Sequence, residues 1–340
     1  MEGNTPAENN NPIDAVIAWV DGNDPALTKK RSIYVKKEDN SNIQRGALPT
    51  FFASNNEIRY CVLSILKFAP FIRNIFIITD GQDPDLYSEI EMHFPGKSGS
   101  LKIIDHSEIF RGYEKYLPTF NSSSILSLIW RIEGLSDNFI YFNDDFFIIR
   151  DIKPEEWFVN NRPVLLGKWL FPPYKKIFVN YVKTAINRRI LNKPEYQPRL
   201  SFYLRQWKAA YMLGFRYRYF YHCHTPQALN RRRLEKFFSE NGELLEKNIS
   251  FRFRSKDQFL MTSLAHHLEI LDGNSHLARL NLVYLHPIYS KNRLHRKIRH
   301  CENNPRIKYI CAQSLDRIGT EIEEKIFNLM DRILDLHADK

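Results

Sequence analysis

Two adjacent carboxylates interrupt an apolar stretch of the chain. The segment FIYFNDDFFII, residues 139–149, places Asn143, Asp144 and Asp145 between aromatic and aliphatic side chains. Burying an ionised carboxylate is costly unless it is paired, hydrogen-bonded or bound to a cation. Side chains of a strand alternate between its faces, so Asp144 and Asp145 share one crevice only if the strand ends or bulges there. We expect one carboxylate to bind a divalent cation on a diphosphate and the other to orient its neighbours. The alternative is a hairpin turn between two paired strands.

Other predicted strands end in similar polar residues. The apolar run 13–20 stops at Asp21-Gly22-Asn23-Asp24, and the runs 75–81 and 101–106 end in Asp-Gly and Asp-His. A predicted helix, NEIRYCVLSILKFA, separates the first two runs. Strands that alternate with helices indicate a mainly parallel sheet covered on both faces, with its ligand crevice beyond the carboxyl ends of the strands. We expect a nucleotide and metal site there, although Asp, Asn and Gly also terminate strands without any function.

Length and composition place the chain among globular proteins. Its 340 residues are 43% hydrophobic, which is enough to bury a full core in one large domain or two packed ones. The polar N-terminus, residues 1–12, is expected to be disordered. It lacks the apolar region of a secretory signal, and no apolar run is long enough to span a bilayer. These features predict a cytoplasmic protein, with peripheral contact on the inner face of the cell membrane left open.

The charge is distributed unevenly along the chain. Residues 1–150 hold 15 Lys and Arg against 20 Asp and Glu, whereas residues 151–340 hold 34 against 19. The basic residues of the second half concentrate in the runs 199–236 and 291–308. Such runs indicate phosphate-bearing ligands, nucleic acid or an anionic membrane surface, and a solvated basic face without a specific partner is the alternative.

Several segments together resemble the Stealth family. IDAVIAWVDGNDP, NEIRYCVLSILKFAPFIRNIFIITDGQDP and RIEGLSDNFIYFNDDFF resemble its first two conserved regions. HTPQALNR (224–231) and SFRFRSKDQF (250–259) resemble segments of the third region. In IKYICAQSLD (307–316), Gln313 and Ser314 stand where the fourth region has an Asn-Asp pair. The family includes bacterial capsular and exopolysaccharide sugar-1-phosphate transferases and the animal N-acetylglucosamine-1-phosphotransferase α/β subunit.

The resemblance implies a fold and a reaction. The implied fold is α/β, a Rossmann-like, GT-A-like, mostly parallel sheet flanked by helices, with a helix-rich basic C-terminal part. The implied enzyme transfers a hexose or N-acetylhexosamine 1-phosphate from a UDP-sugar to a hydroxyl of a glycan acceptor, which can be lipid-linked. UMP leaves, and a phosphodiester forms in a capsular, exopolysaccharide or cell-surface polysaccharide. Catalysis would rest on positioning and on charge neutralisation at phosphorus.

The resemblance also implies roles for single residues. Asp144 and Asp145 would bind Mg²⁺ or Mn²⁺. The implied catalytic residues are His224 as general base, Asp145, and Arg59 and Arg254 as phosphate contacts. The implied donor-binding residues are Trp19, Asp21, Gly22, Asn23, Asp24 and Asn143. Simpler roles compete: zinc binding in His222-Cys223-His224, a surface ion pair for Arg59, and a place in the core for Trp19.

The predicted organisation has two parts. Residues 13–150 would form the nucleotide-sugar-binding half, and residues 151–340 a basic, acceptor-binding and catalytic half that ends in an amphipathic helix, 320–337. One alternative function is a metal-dependent nucleotide-sugar glycosyltransferase, which releases UDP. A more distant one is nucleic-acid binding through the two basic runs, although the leading interpretation expects no specific nucleic-acid partner.

Overall fold

The structure, a computed structural model, describes residues 11–35, 37–38, 42–43, 52–193, 196, 198 and 201–336. Of the segment 1–12, for which disorder is expected, residues 1–10 lie outside this range. The strands are β1 (Ile13–Ala18), β2 (Lys37–Glu38), β3 (Asn42–Ile43), β4 (Ile72–Thr79), β5 (Leu101–Asp105), β6 (Asn138–Asn143), β7 (Phe146–Ile148), β8 (Phe158–Val159), β9 (Arg162–Pro163), β10 (Leu165–Leu166), β11 (Lys168–Leu170), β12 (Tyr219–Tyr221), β13 (Gln227–Asn230), β14 (Leu277–Ala278), β15 (Leu282–Leu285) and β16 (Tyr309–Ala312). The α-helices are α1 (Pro25–Ser32), α2 (Glu57–Phe68), α3 (Tyr87–His93), α4 (His106–Ile109), α5 (Ser122–Leu126), α6 (Tyr174–Ala185), α7 (Phe202–Met212), α8 (Arg231–Glu240), α9 (Gly242–Ile249), α10 (Met261–Leu271), α11 (Lys291–Asn303) and α12 (Thr320–Leu334).

A five-stranded sheet with the order β13-β6-β1-β4-β5 forms the centre of the fold. β1, β4, β5 and β6 run parallel to one another, and β13 joins the edge of β6 in the antiparallel direction. The predicted α/β class, with a mainly parallel sheet flanked by helices and a helix-rich C-terminal part, is confirmed.

Both faces of this sheet are covered. In β1, the side chains of Ile13, Ala15 and Ile17 pack into the core that contains α2 and α12. Val16, between them, packs into the core on the other face with residues of α8, α9 and α10. Burial on both faces explains why the strand is an almost unbroken apolar run instead of an alternating one.

The strand order reverses next to β1. From β1 the chain proceeds outward through β4 to β5, and then returns to place β6 on the opposite side of β1. Loops that leave β1 and β6 therefore diverge at their carboxyl ends, which opens a crevice at this switch point.

Asp144 and Asp145 connect two different sheets. β6 ends at Asn143 in the central sheet, whereas β7, which begins at Phe146, pairs with β16 in the three-stranded sheet β15-β16-β7. β6 and β7 are thus not the two strands of a hairpin, and the hairpin alternative is wrong. The turn lies where one sheet ends and the next begins.

Strands from both halves of the sequence build both sheets. β13 completes the central sheet, β16 pairs with β7, and β15 pairs with β16. The last helix, α12, covers most of the predicted 320–337 and lies against α2, where the Tyr60 hydroxyl donates to Asp331 Oδ1 at 2.9 Å. Among the described residues, no helix combines the length and apolar character that crossing a bilayer requires.

Candidate active site

A cavity opens at the carboxyl ends of β1 and β6. Six of the predicted site residues line it: Trp19, Asn143, Asp144, Asp145, His224 and Arg254. The structure therefore brings together segments that lie more than 200 residues apart in sequence. Asp21, Gly22, Asn23, Asp24 and Arg59 do not line the cavity.

The carboxylate pair is held in a poorly solvated position. Asp145 Oδ1 is buried and has no hydrogen-bond partner among the described residues, and Asp145 Oδ2 lies 4.0 Å from Cys311 Sγ. Burial raises the pKa of Asp145 to about 6, against the opposing charge of Arg254. Burial and the neighbouring carboxylates of Asp145 and Glu57 raise the pKa of Asp144 well above its usual range. Two ionised carboxylates here would require a compensating positive charge.

This arrangement fits a hard divalent cation. The described residues contain no group of three or more His, Cys, Asp or Glu side chains arranged to hold a metal by themselves. Mg²⁺ sites commonly use one or two carboxylates and are completed by substrate phosphates and water. The unpartnered oxygen of Asp145 is a donor atom suited to such a site.

Two arginines also line the cavity. Arg205 Nη1 donates to Ser123 Oγ at 2.6 Å, while its buried Nε has no partner among the described residues. Burial and the charge of Arg254 lower the pKa of Arg205 to about 10, so it stays cationic at neutral pH. Burial also lowers the pKa of Arg254, whereas Tyr141 and Asp145 act in the opposite direction. Two guanidinium groups in one cavity favour an anionic ligand.

The start of α5 positions both arginines. Ser123 binds Arg205, and Asn121 Nδ2 donates to Gln258 Oε1 at 3.0 Å. Gln258 Oε1 also accepts from the backbone N–H of Ser255 at 3.0 Å, which fixes the loop that carries Arg254. Residues 121–123 thus tie two segments of the second half to the site.

His224 lies between two aromatic rings. Its ring stacks on Phe202 with centroids 4.4 Å apart and on Tyr284 with centroids 5.6 Å apart. Burial and then the nearby charges, with Arg205 the largest, lower the pKa of His224 to about 4. The imidazole is therefore neutral at pH 7 and able to accept a proton. In contrast, both ring nitrogens of His222 are engaged, one with Cys223 O at 3.0 Å and one with Thr262 Oγ1 at 2.9 Å, which disfavours the zinc alternative.

The loop after β1 supports the cavity from outside. Asp24 caps α1 by accepting from Ala26 N at 2.8 Å, and Asp21 Oδ1 accepts from Asn23 N at 2.9 Å. A Cβ atom on Gly22 would lie 2.0 Å from Phe52 O, so the close approach of these two backbones requires glycine. Phe52 lines the cavity, so the loop contributes to the site by fixing the position of Phe52.

Trp19 lies both at the cavity, as expected for a donor-binding residue, and in the hydrophobic core. Its side chain lines the cavity and also belongs to the hydrophobic core, with 9% of its surface exposed. The indole Nε1 donates to Ser54 Oγ at 3.5 Å. One edge of the ring is thus held by the protein.

Arg59 takes part in ion pairs away from the cavity. Its Nε donates to Glu89 Oε1 at 2.6 Å, and its Nη1 lies 3.6 Å from Asp331 Oδ1. The residue of this helix that lines the cavity is Glu57, two positions earlier. Burial raises the pKa of Glu57 to about 7. Because a helix turns about 100° per residue, positions two apart point to different sides.

Further residues of the site were not singled out from the sequence. Arg205 belongs to the basic run 199–236, which indicated an anionic partner but no particular residue. Gln313, Ser314 and Asp316 line the cavity at the end of β16, in the segment that departs from the family pattern. Their position beyond the end of a strand is the signal that could have identified them.

Unpartnered polar atoms concentrate in this cavity. Among the described residues, ten buried side-chain nitrogen or oxygen atoms have no hydrogen-bond partner, and five of them belong to residues that line the cavity. These five are His106 Nδ1, Thr119 Oγ1, Asp145 Oδ1, Arg205 Nε and Gln227 Oε1. Folded proteins leave few buried polar atoms unsatisfied, so the concentration indicates a polar ligand.

Comparison with known proteins gives a consistent result. Residues 11–39 match Stealth protein CR1, conserved region 1, and residues 51–164 match Stealth protein CR2, conserved region 2. An exopolysaccharide phosphotransferase of Streptomyces coelicolor is 45% identical over 150 residues, which are 44% of this chain and 26% of that protein. A second one from this organism is 31% identical over 280 residues, 81% of this chain and 42% of that protein. The matches thus span less than half the length of either relative.

Two solved structures show a more distant likeness. The galactosyltransferase LgtC in complex with donor and acceptor sugar analogs aligns over 94% of this chain and 95% of its own, with 13% identity and a TM-score of 0.41. Mouse xyloside xylosyltransferase 1 aligns over 90% and 99%, with 13% identity and a TM-score of 0.40. TM-scores below 0.5 establish no common fold.

The match to a third relative extends over most of that protein's length. A capsular polysaccharide phosphotransferase of Streptococcus thermophilus is 36% identical over 190 residues, which are 53% of this chain and 73% of that protein. The two conserved regions and this relative identify the chain as a member of the Stealth family.

Proposed function

We propose that the protein transfers a sugar 1-phosphate from a UDP-sugar to a hydroxyl of a glycan acceptor, in the synthesis of a capsular, exopolysaccharide or cell-surface polysaccharide. The observation that carries this proposal is the cavity that joins Asp144 and Asp145 to Arg205, Arg254 and His224. Carboxylates for a cation, cationic groups for phosphates and a neutral imidazole are the groups that phosphoryl transfer to an alcohol requires. The names of the relatives, exopolysaccharide and capsular polysaccharide phosphotransferases, support the same reaction class.

The proposed reaction exchanges one phosphorus–oxygen bond for another. The oxygen of the acceptor hydroxyl bonds to the phosphorus that carries the sugar, and the bond from that phosphorus to the bridging oxygen breaks. UMP leaves with the bridging oxygen, and the product is a phosphodiester between sugar and acceptor. The hydroxyl proton passes to the imidazole of His224.

We expect the pKa of His224 to rise when the donor binds. In the free protein, the cationic groups of Arg205 and Arg254 are among the causes that lower its pKa. A bound pyrophosphate would neutralise these groups and raise the pKa of the imidazole toward its ordinary value. The base would thus become stronger when the donor is bound.

The arginines and the carboxylates have separate proposed roles. Arg205 and Arg254 would contact phosphate oxygens and stabilise the charge that develops on the leaving group. Asp144 and Asp145 would hold Mg²⁺ or Mn²⁺, which when bound supplies positive charge to the phosphate oxygens. We leave Arg59 out of this machinery because its guanidinium pairs with Glu89 and Asp331.

The donor and acceptor are expected to enter from different sides. The proposed nucleotide side is formed by the ends of β1, β4 and β5, where Trp19, Asp80 and His106 line the cavity. The proposed acceptor side is formed by α7 and the loop before β13, which belong to the basic half of the chain. Lys and Arg residues near this side suit an anionic glycan or a glycan on a diphosphate carrier.

The test is to identify the nucleotide that is released. The purified protein is incubated with a panel of UDP-hexoses and UDP-N-acetylhexosamines, Mg²⁺ and oligosaccharides from capsular polysaccharides, with His224→Ala as the control of strongly reduced activity. We expect UMP in equal amount to a phosphodiester-linked product. Release of UDP would instead assign the protein to the glycosyltransferases and overturn the proposal.

A further inference from the structure

Helix α6 has no buried residue along its length of twelve residues. Tyr174, Ile177, Phe178 and Tyr181 recur at helical spacing and expose 59%, 40%, 67% and 71% of their surfaces. We call these four residues the α6 face. A surface helix of a globular protein normally buries such a stripe.

Another basic helix shows the usual arrangement. α11 carries Arg293, Arg296, Lys297 and Arg299, and its apolar residues Leu294, Ile298 and Cys301 are all buried. Helices of about twelve residues are marginal in water without tertiary packing. Tyr174 contacts Arg216 O and the ring of Trp207, but in the part of the chain that the structure describes no residue of the α6 face is buried, so most of this face lacks the partner surface that α11 has.

The charges around α6 are all of one sign. Residues 168–193 contain seven Lys and Arg residues and no Asp or Glu. By helical geometry, Lys176 and Lys183 fall on the side opposite the α6 face. The segment that follows, Ile186–Ile190, exposes Ile190 together with Arg188 and Arg189. An apolar stripe of aromatic and aliphatic side chains, in a segment whose charged residues are all basic, matches an anionic lipid surface in both polarity and charge.

Helix α6 adjoins the proposed acceptor side of the cavity. The Tyr174 hydroxyl donates to Arg216 O at 3.1 Å, and Lys176 Nζ lies 5.4 Å from the ring centre of Tyr203. Tyr203 belongs to α7, whose Phe202 and Arg205 line the cavity. A surface seated on α6 would therefore lie close to the entry of the acceptor.

We propose that α6 is an interfacial helix that docks the protein on membranes containing anionic lipids, with its four-residue apolar face inserted among the acyl chains. The flanking lysines and arginines would contact lipid phosphates. This inference depends on the exposed surface of α6 and not on the proposed transfer reaction, so either proposal can be wrong without the other.

Vesicle flotation tests the proposal with the full chain. Large unilamellar vesicles of phosphatidylglycerol and phosphatidylcholine in equal parts are compared with vesicles of phosphatidylcholine alone. We expect binding to the anionic vesicles that weakens at high salt, and little binding to the neutral ones. The double variant Ile177→Ser with Phe178→Ser should lower the partition coefficient more than roughly tenfold, because it removes two inserting side chains.

A matched pair of charge variants separates docking from general attraction. Lys175→Gln with Arg189→Gln and Arg296→Gln with Arg299→Gln each remove two exposed positive charges, the first pair from α6 and the segment that follows it, the second from α11. The α6 pair should reduce binding roughly 30-fold, since each basic residue near the surface contributes about fivefold. The α11 pair should change it far less.

Three results would overturn the proposal. They are equal losses in the two charge variants, full binding by Ile177→Ser with Phe178→Ser, or a stable dimer that this double variant dissociates in the absence of lipid. UDP binding measured without vesicles provides the control for folding and should be the same in all these variants, whether or not the protein proves to be a phosphotransferase.

Discussion

The imidazole of His224 lies nearly parallel to the ring of Phe202, with an angle of 19° between the ring planes. This stack leaves the ring few orientations, because Tyr284 lies parallel to it at an angle of 10°. A general base must present its nitrogen to the proton within hydrogen-bond distance, so Phe202 and Tyr284 are expected to act as positioning residues.

Replacement of Phe202 should therefore affect turnover more than donor binding. In Phe202→Leu we expect kcat to fall by roughly ten- to a hundredfold, since small displacements of a catalytic group have effects of this size. Phe202→Tyr keeps the ring and should restore most of kcat. Steady-state kinetics with saturating acceptor provide the measurement. An unchanged kcat with a higher KM for the donor would show that Phe202 contacts the donor instead.

The acid side of the pH profile should belong to Asp145 and not to His224. The pKa of Asp145 is raised to about 6, whereas that of His224 is lowered to about 4. As pH falls, Asp145 becomes protonated before His224 does, and the carboxylate pair loses the negative charge that would hold a cation while His224 is still neutral. We expect kcat/KM to decline below about pH 6. The residual activity of His224→Ala should decline at the same pH. If the activity of this variant did not decline below about pH 6, the assignment to Asp145 would be contradicted.

Neutralising Asp145 should stabilise the fold while it removes activity. The folded-state pKa of Asp145 is raised above its ordinary value, so the folded protein holds this proton more tightly than the unfolded chain does. The associated stability is present at low pH and is lost as pH rises through about 6. At pH 8, Asp145→Asn should gain roughly 1–3 kcal/mol in the free energy of unfolding, and the gain should disappear near pH 4.

Denaturant unfolding at both pH values checks this expectation. Asp137→Asn provides the control, because Asp137 pairs with Arg231 and Arg232 and its replacement should bring no gain. Mg²⁺ should raise the Tm of the wild-type protein but not that of Asp145→Asn. Equal responses to Mg²⁺ in both proteins would show that the cation binds elsewhere.

Arg205 and Arg59 should behave differently although both are partly buried arginines. Arg205→Gln removes a charged contact in the cavity and should raise the dissociation constant of UDP roughly ten- to a hundredfold. Arg59→Gln removes ion pairs with Glu89 and Asp331, so it should cost roughly 1 kcal/mol of stability and leave UDP affinity within about twofold. Calorimetric titration with UDP distinguishes the two. If Arg59→Gln weakened UDP binding and Arg205→Gln did not, Arg59 would have to be a residue of the site.

The sequence predicted those parts of the site that depend on local patterns. The apolar runs that end in polar residues indicated β1, β4, β5 and β6, and the parallel sheet then followed from the alternation with helices. The adjacent carboxylates in an apolar segment indicated a compensated site because their burial would otherwise be too costly. The cavity contains both Asp144 and Asp145.

Other parts depend on contacts that no local pattern contains. Arg205 lines the cavity because α7 packs near α5, and only this packing brings its guanidinium to Ser123. The sequence predicts a helix around Arg59, which the structure confirms, but which side of this helix meets the cavity depends on how α2 packs on the sheet. For the same reason, the exposed side of α6 could not be read from its basic composition.

The central claim is that the acceptor attacks phosphorus and not the anomeric carbon of the sugar. The most direct measurement uses a UDP-sugar that carries radioactive phosphorus only in the phosphate next to the sugar, and follows the label after transfer. We predict that the label appears in the glycan and that unlabelled UMP is released. Label recovered in UDP, with an unlabelled glycan product, would contradict the account.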